Sequence, residues 1–214
     1  MMDELFAMAR NKLTHVFWIG GPGCSGKSSV ADQLSRTLDL QVYHVDDQMP
    51  YQKPEPDLKP VKWRDYDFGG KKGKPLFDLP PADVAQYVID NWQTHIFVQT
   101  INHLLTWPTT PNIVVEGVFL PETLLKIASK ERLAFMVSSR TFRKAYFGHR
   151  RAWYAAYEDK PVVYQTILNA LEVMDQAWVE QATQFELPIF QITSLQTIDD
   201  VAIQTASLFQ SQAV

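Results

Sequence analysis

The stretch His15-Val16-Phe17-Trp18-Ile19-Gly20-Gly21-Pro22-Gly23-Cys24-Ser25-Gly26-Lys27-Ser28 runs from apolar residues into glycines, then ends on a lysine and a serine. An unbroken apolar run closed by glycines predicts a strand buried on both faces. Beyond Ser28, Val30, Leu34 and Leu38 return to one side of a helical wheel, which predicts a helix over Lys27–Leu38. The stretch is therefore a strand, a tight loop and a helix in immediate succession.

The loop fits G-x-x-x-x-G-K-[ST] at every fixed position, and it lies between the two elements such a loop requires. Average composition gives a chance match somewhere in such a chain roughly a 1% expectation. Glycines let successive backbone N–H groups turn inward and approach anionic oxygens, at a helix N-terminus that already favours negative charge. Such a P-loop holds the phosphates of ATP or GTP. Gly21, Pro22, Gly23, Cys24, Ser25, Gly26, Lys27, Ser28 and Ser29 are the expected nucleotide contacts. Lys27 would neutralise the β- and γ-phosphates, and the Ser28 hydroxyl would ligate Mg²⁺. Cys24 occupies a variable position that tolerates any small residue, which is preferred to a redox role.

Further along, Gln41 to Asp46 reads as a second short strand ending in the pair Asp46-Asp47. From 49 to 81, seven prolines and three glycines break regular structure, yet Trp63, Tyr66 and Phe68 argue against a plain linker. Ala82–Leu105 reads as a long helix with Val84, Val88, Trp92 and Ile96 four residues apart. Ile113–Val115 is a third strand, closing on Glu116-Gly117, and a helix follows from Pro121 through Ile127. Leu133–Val137 is a fourth strand and Pro188–Thr193 a fifth. Helices are expected over Thr141–Tyr157, which is basic, over Val162–Phe185, and over Thr197–Phe209. Strands too apolar to face water, alternating with helices, imply a parallel sheet covered on both faces.

The chain has 214 residues, 46% of them hydrophobic and 21% charged, which suits one globular domain spanning 1–214. A net charge of -4 gives no general attraction for nucleic acid. No apolar run nears the roughly 20 residues of a membrane span. One cysteine and no secretory leader point to a cytoplasmic setting. Oligomeric state is left open, with a homodimer among the options.

With these elements placed, the chain resembles the small-molecule kinase branch of P-loop proteins: nucleoside, nucleotide and shikimate kinases, and uridine-kinase-like proteins in particular. The matching residues lie around 20–28, 43–47 and 113–117, and less closely at 140–151. The resemblance implies a three-layer α/β fold with a five-stranded, mostly parallel sheet, and ATP and Mg²⁺ as cofactors. In that group the second strand often ends in an aspartate that faces the acceptor hydroxyl. Tyr43-His44-Val45-Asp46-Asp47 looks like that element, with Asp46 slightly favoured over Asp47 and with Asp46 also a candidate Mg²⁺ ligand through water. An acidic turn or helix cap is the competing reading. Glu116 stands where a Walker B acid would help hold the metal. Arg143, Arg150 and Arg151, on the basic helix at 140–158, match a lid whose guanidinium groups close on the transferred phosphate. A solvated basic face is the alternative there, and His149 reads as a surface residue.

Two functions follow. The first is an ATP-dependent phosphotransferase acting on a nucleoside, nucleotide, hydroxy acid or similar metabolite, with Lys27, Asp46 or Asp47 and lid arginines at the reacting groups. The second is a nucleotide-dependent switch or regulatory ATP-binding protein, which needs no acceptor pocket. The acceptor side falls in 49–110. There Trp63, Arg64, Tyr66 and Phe68 are candidate pocket walls, and Lys71, Lys72 and Lys74 would attract an anion.

Overall fold

The computed structural model describes residues 2–48, 66–67, 74–147, 160–193 and 195–210. Its strands are β1 (Val16–Gly20), β2 (Gln41–His44), β3 (Tyr66–Asp67), β4 (Lys74–Pro75), β5 (Ile113–Gly117), β6 (Leu133–Ser138) and β7 (Ile189–Ile192). Its helices are α1 (Met2–Lys12), α2 (Lys27–Leu38), α3 (Val45–Gln48), α4 (Pro81–Asn91), α5 (Phe97–Leu104), α6 (Pro121–Leu125), α7 (Arg140–Phe147), α8 (Pro161–Gln184) and α9 (Ile198–Gln210). Five strands form one sheet in the order β2-β5-β1-β6-β7, every neighbouring pair parallel. This is the five-stranded parallel sheet that the apolar strands imply. β3 and β4 form a separate short parallel pair.

Alternation along the strands sorts the core into two layers. Val16, Trp18, Ile113, Val115, Leu133 and Phe135 face one cluster, with Trp92, Phe97, Leu171 and Trp178 from α4 to α8. Phe17, Ile19, Val114, Ala134 and Met136 face the other, closed by Val30 and Leu34 of α2 and Val201 and Phe209 of α9. This is the three-layer arrangement the apolar strands imply. β1 lies in the middle with strands on both sides of it, and the carboxyl ends of such a sheet open onto a crevice.

The long helix expected over 82–105 is interrupted. A π-helical turn over Trp92–Ile96 joins α4 to α5. Residues four apart drift about 40° per step round a 3.6-residue helix. The wider π turn removes most of that drift between Trp92 and Ile96, both buried, whereas Val88 in the regular helix before it is only half-buried. It also presents Gln93, whose Nε2 donates to the Val118 carbonyl at 2.8 Å and whose Oε1 accepts from the Leu120 N–H at 3.1 Å. The segment after β5 is thus braced. Phe119 anchors it further, packing edge-on against Trp18, Trp92 and Phe97 while its carbonyl accepts from Trp178 Nε1 at 2.8 Å. No helix among the described residues is long and apolar enough to cross a membrane.

The second strand ends earlier than the sequence suggests. It stops at His44, and Asp46 and Asp47 lie on the helical turn α3, both exposed. Carboxylates and the amide of Gln48 favour a turn over a pleated edge, so the backbone leaves the sheet two residues sooner.

Candidate functional site

The glycine loop leaves β1 and enters α2 at the carboxyl edge of the sheet. Gly26 caps α2 in the left-handed region, φ 82°, where a side chain is strained. Gly21 lies so close to β6 that a Cβ there would stand 2.2 Å from the Met136 carbonyl oxygen. Cys24 also takes a positive φ, 57°, and its carbonyl accepts from Ser138 Oγ at 3.0 Å. The loop is therefore held from behind by β6.

Lys27 is buried and folds back over its own loop. Its Nζ donates to the Pro22 carbonyl at 2.8 Å and lies 3.4 Å from Ser25 Oγ. Ser25 Oγ donates to the same carbonyl at 2.9 Å. Ser28 Oγ donates to Glu116 Oε1 at 3.1 Å, across from β5. Ser29 is exposed at the start of a cavity of about 650 Å³ bounded by α2, the first turn of α7 and the β7–α9 connection. Asp32, Arg36, Phe142, Thr193 and Thr197 are among its walls, and Gln33 donates to Asp199 at its rim.

Glu116 is almost wholly buried, and burial by itself pushes its carboxyl up. The hydrogen bond from His44, the charges of Lys27 and His44 and the bond from Ser28 outweigh that, so it lies below the usual carboxylate range. Glu116 is therefore an anion at neutral pH.

His44 was not among the residues singled out in the sequence. Its Nδ1 lies 3.0 Å from Glu116 Oε1 and its Nε2 3.1 Å from Asp32 Oδ1. The hydrogen bond to Glu116 leads the upward shift of its pKa to about 9, with burial opposing and the charges of Glu116 and Asp32 assisting. Both ring nitrogens then carry protons and both donate. The signal was available in the alternation. Tyr43 is fully buried, so His44 turns to the opposite face, the face on which Val114 and hence Glu116 lie.

Arg143 does not stand as a lid arginine would. It is fully buried, and Nη1 and Nη2 close on Asp175 of α8 at 2.5 and 2.7 Å. Arg140 pairs likewise with Glu172 at 2.6 Å and with Asn169 at 3.1 Å. A guanidinium held bidentate by a carboxylate beneath the surface has no open fork for phosphate. Arg143 is thus a packing residue that ties α7 to α8. His149, Arg150 and Arg151 lie outside the described residues, as do Trp63, Arg64, Phe68, Lys71 and Lys72.

Several solved structures are similar in overall shape. Shikimate kinase from Aquifex aeolicus vf5 is 17% identical, over 92% of this chain and 98% of that one, with a TM-score of 0.42. An uncharacterised protein from Eubacterium ventriosum ATCC 27560 is 14% identical, over 94% and 99%, at 0.45. Deoxyadenosine kinase from M. mycoides with bound dATP is 12% identical, over 93% and 100%, at 0.47. No protein-family model matches the chain, and no curated protein sequence matches it. Likenesses this distant carry no functional argument.

Proposed function

We propose that the chain is a MgATP-dependent phosphotransferase that acts on a small metabolite. The observation that carries this is the pairing of Ser28 with the ionised, buried Glu116 beneath a glycine loop that also holds Lys27. A hydroxyl beside a carboxylate anion is the donor set a hard divalent cation prefers, so these residues fit Mg²⁺ carried by a nucleotide. When bound, the metal would neutralise charge on the phosphate oxygens.

The chain's own groups do the rest. Loop N–H groups cradle the phosphates, and Lys27 exchanges the Pro22 carbonyl for β- and γ-phosphate oxygens. The cavity beside Ser29, which Phe142 helps to wall, takes the nucleoside end. Asp46 and Asp47 stand exposed on α3, next to the strand end that bears His44. From there a carboxylate orients an acceptor hydroxyl and takes its proton.

The test is ADP release with MgATP across a panel of nucleosides, nucleotides and hydroxy acids, run beside Lys27→Ala and Asp46→Ala. An acceptor that raises turnover in the native chain, but not in either variant, is the expected result. If no acceptor raises turnover and Asp46→Ala leaves basal hydrolysis unchanged, the phosphotransferase reading is lost.

A further inference from the structure

We propose that His44 is a positioning residue that fixes which oxygen of Glu116 faces the crevice, and so sets how strongly Mg²⁺ supports nucleotide binding. The inference rests on the reading of residues 21–28 as a nucleotide site. It starts from register: His44 and Glu116 are direct neighbours on the parallel strands β2 and β5. Their side chains therefore leave the sheet on the same face, toward α2.

Two donors converge on one oxygen. Ser28 Oγ and His44 Nδ1 both meet Glu116 Oε1, at 3.1 and 3.0 Å. Among the described residues no hydrogen bond reaches Oε2, although Glu116 is only 5% exposed. A glutamate carboxylate has several rotamers open to it, and one hydrogen bond from Ser28 does not by itself fix which oxygen turns to the crevice. With Oε1 pinned from two sides, Oε2 is the oxygen left for a cation or its water. The Ser28 proton is committed to Glu116, which turns the Ser28 lone pairs the other way.

The other ring nitrogen fixes His44 itself. Nε2 meets Asp32 Oδ1 at 3.1 Å, and Asp32 lies on α2 four residues after Ser28, hence one turn further along the same face. One imidazole thus ties the helix that starts at the loop to both strands beside it. Partners of metal-binding carboxylates typically change metal affinity by about 10–100-fold when removed.

Replacement by the two amides separates the contacts. In His44→Asn the amide nitrogen falls near Nδ1 and keeps the bond to Glu116. In His44→Gln it falls near Nε2 and keeps only the bond to Asp32. His44→Phe keeps neither. Each purified chain would be titrated with a fluorescent ADP analogue in EDTA, then with Mg²⁺ at fixed nucleotide and fixed pH. The expected result is unchanged affinity in EDTA for all four proteins. The Mg²⁺ requirement should rise about 10-fold in His44→Gln and His44→Phe, and stay near the native value in His44→Asn. A structural staple alone would not make Asn rescue what Gln loses. Equal Mg²⁺ requirements across the four proteins, or an Asn variant as weak as Phe, overturn the proposal while leaving the nucleotide site intact. A native chain with no affinity for the analogue overturns the nucleotide-site reading and this proposal with it. If His44→Phe does not fold, the Asn and Gln pair still decides.

Discussion

Arg143, with none of its side chain exposed, meets both oxygens of Asp175 through a parallel pair of hydrogen bonds, and this contact fastens α7 to α8. Removing one partner strands a buried charge. Asp175→Ala should therefore cost about 3 kcal/mol or more in urea unfolding, the lower part of the range for breaking buried pairs, because the aspartate keeps some solvent contact. Replacing both residues together, as Arg143→Met with Asp175→Leu, should recover most of that loss, since two apolar side chains carry no desolvation cost. If Asp175→Ala unfolds at the native urea midpoint, the pair does not hold the helices.

Lys27 is predicted to act on the outer phosphates. Charge-assisted hydrogen bonds contribute roughly 1.5–3 kcal/mol. Lys27→Ala should thus weaken ATP binding about 10–100-fold by calorimetry, with AMP affinity little changed. An equal loss for ATP and AMP would mean that Lys27 shapes the loop through Pro22 and does not meet the β- and γ-phosphates.

Gly26→Ala tests the geometry of the loop. At φ 82° an added Cβ costs about 1–2 kcal/mol from backbone strain. It would also stand 2.4 Å from the Ile192 Cδ1 methyl, which is the movable end of a side chain. Adding Ile192→Val removes that methyl and should restore only the smaller part of the lost stability, read from thermal unfolding. Full restoration would show that crowding, not φ, demands the glycine.

The sequence and the structure agree where one physical signal acts alone. The apolar runs at 16–19 and 113–115 could bury only in a covered parallel sheet, and the motif at 21–28 could sit only between its strand and helix. They part where tertiary contacts decide. Arginines at 143 and 150 share a helical face by spacing, but spacing does not show that Asp175, on another helix, already holds one of them. Asp46 and Asp47 were placed by extending a strand past His44, and the helical turn that follows answers to local polarity instead. His44 was legible in principle, because alternation past the buried Tyr43 turns it toward Glu116, yet its pairing depends on β2 lying beside β5. That order follows from how the chain packs and cannot be read from either strand.

Beneath β2, Tyr43, His103 and Trp107 form a small polar knot in the apolar layer, and it should make stability fall with acid. Trp107 Nε1 donates to His103 Nε2 at 3.2 Å, so that nitrogen must hold a lone pair, and Nδ1 then donates to Tyr43 Oη at 2.7 Å. The ring is neutral. Burial lowers its pKa below the ordinary 6.5. A depressed histidine resists a proton that the unfolded chain accepts, so its contribution is present above pH 6.5 and is lost as pH falls through the lowered folded value. His15 and His95 are shifted the same way, both chiefly by burial, and will add to the acid slope. The variant His103→Gln isolates one share, because glutamine does not titrate. Its loss of hydrogen bonds should appear as a constant offset at neutral pH. Native stability should then fall more steeply than that of the variant once pH drops below about 6.5, so the two urea-unfolding curves converge with acid. Parallel curves across that range would show that His103 takes up its proton as easily folded as unfolded, and the neutral knot would have to be abandoned.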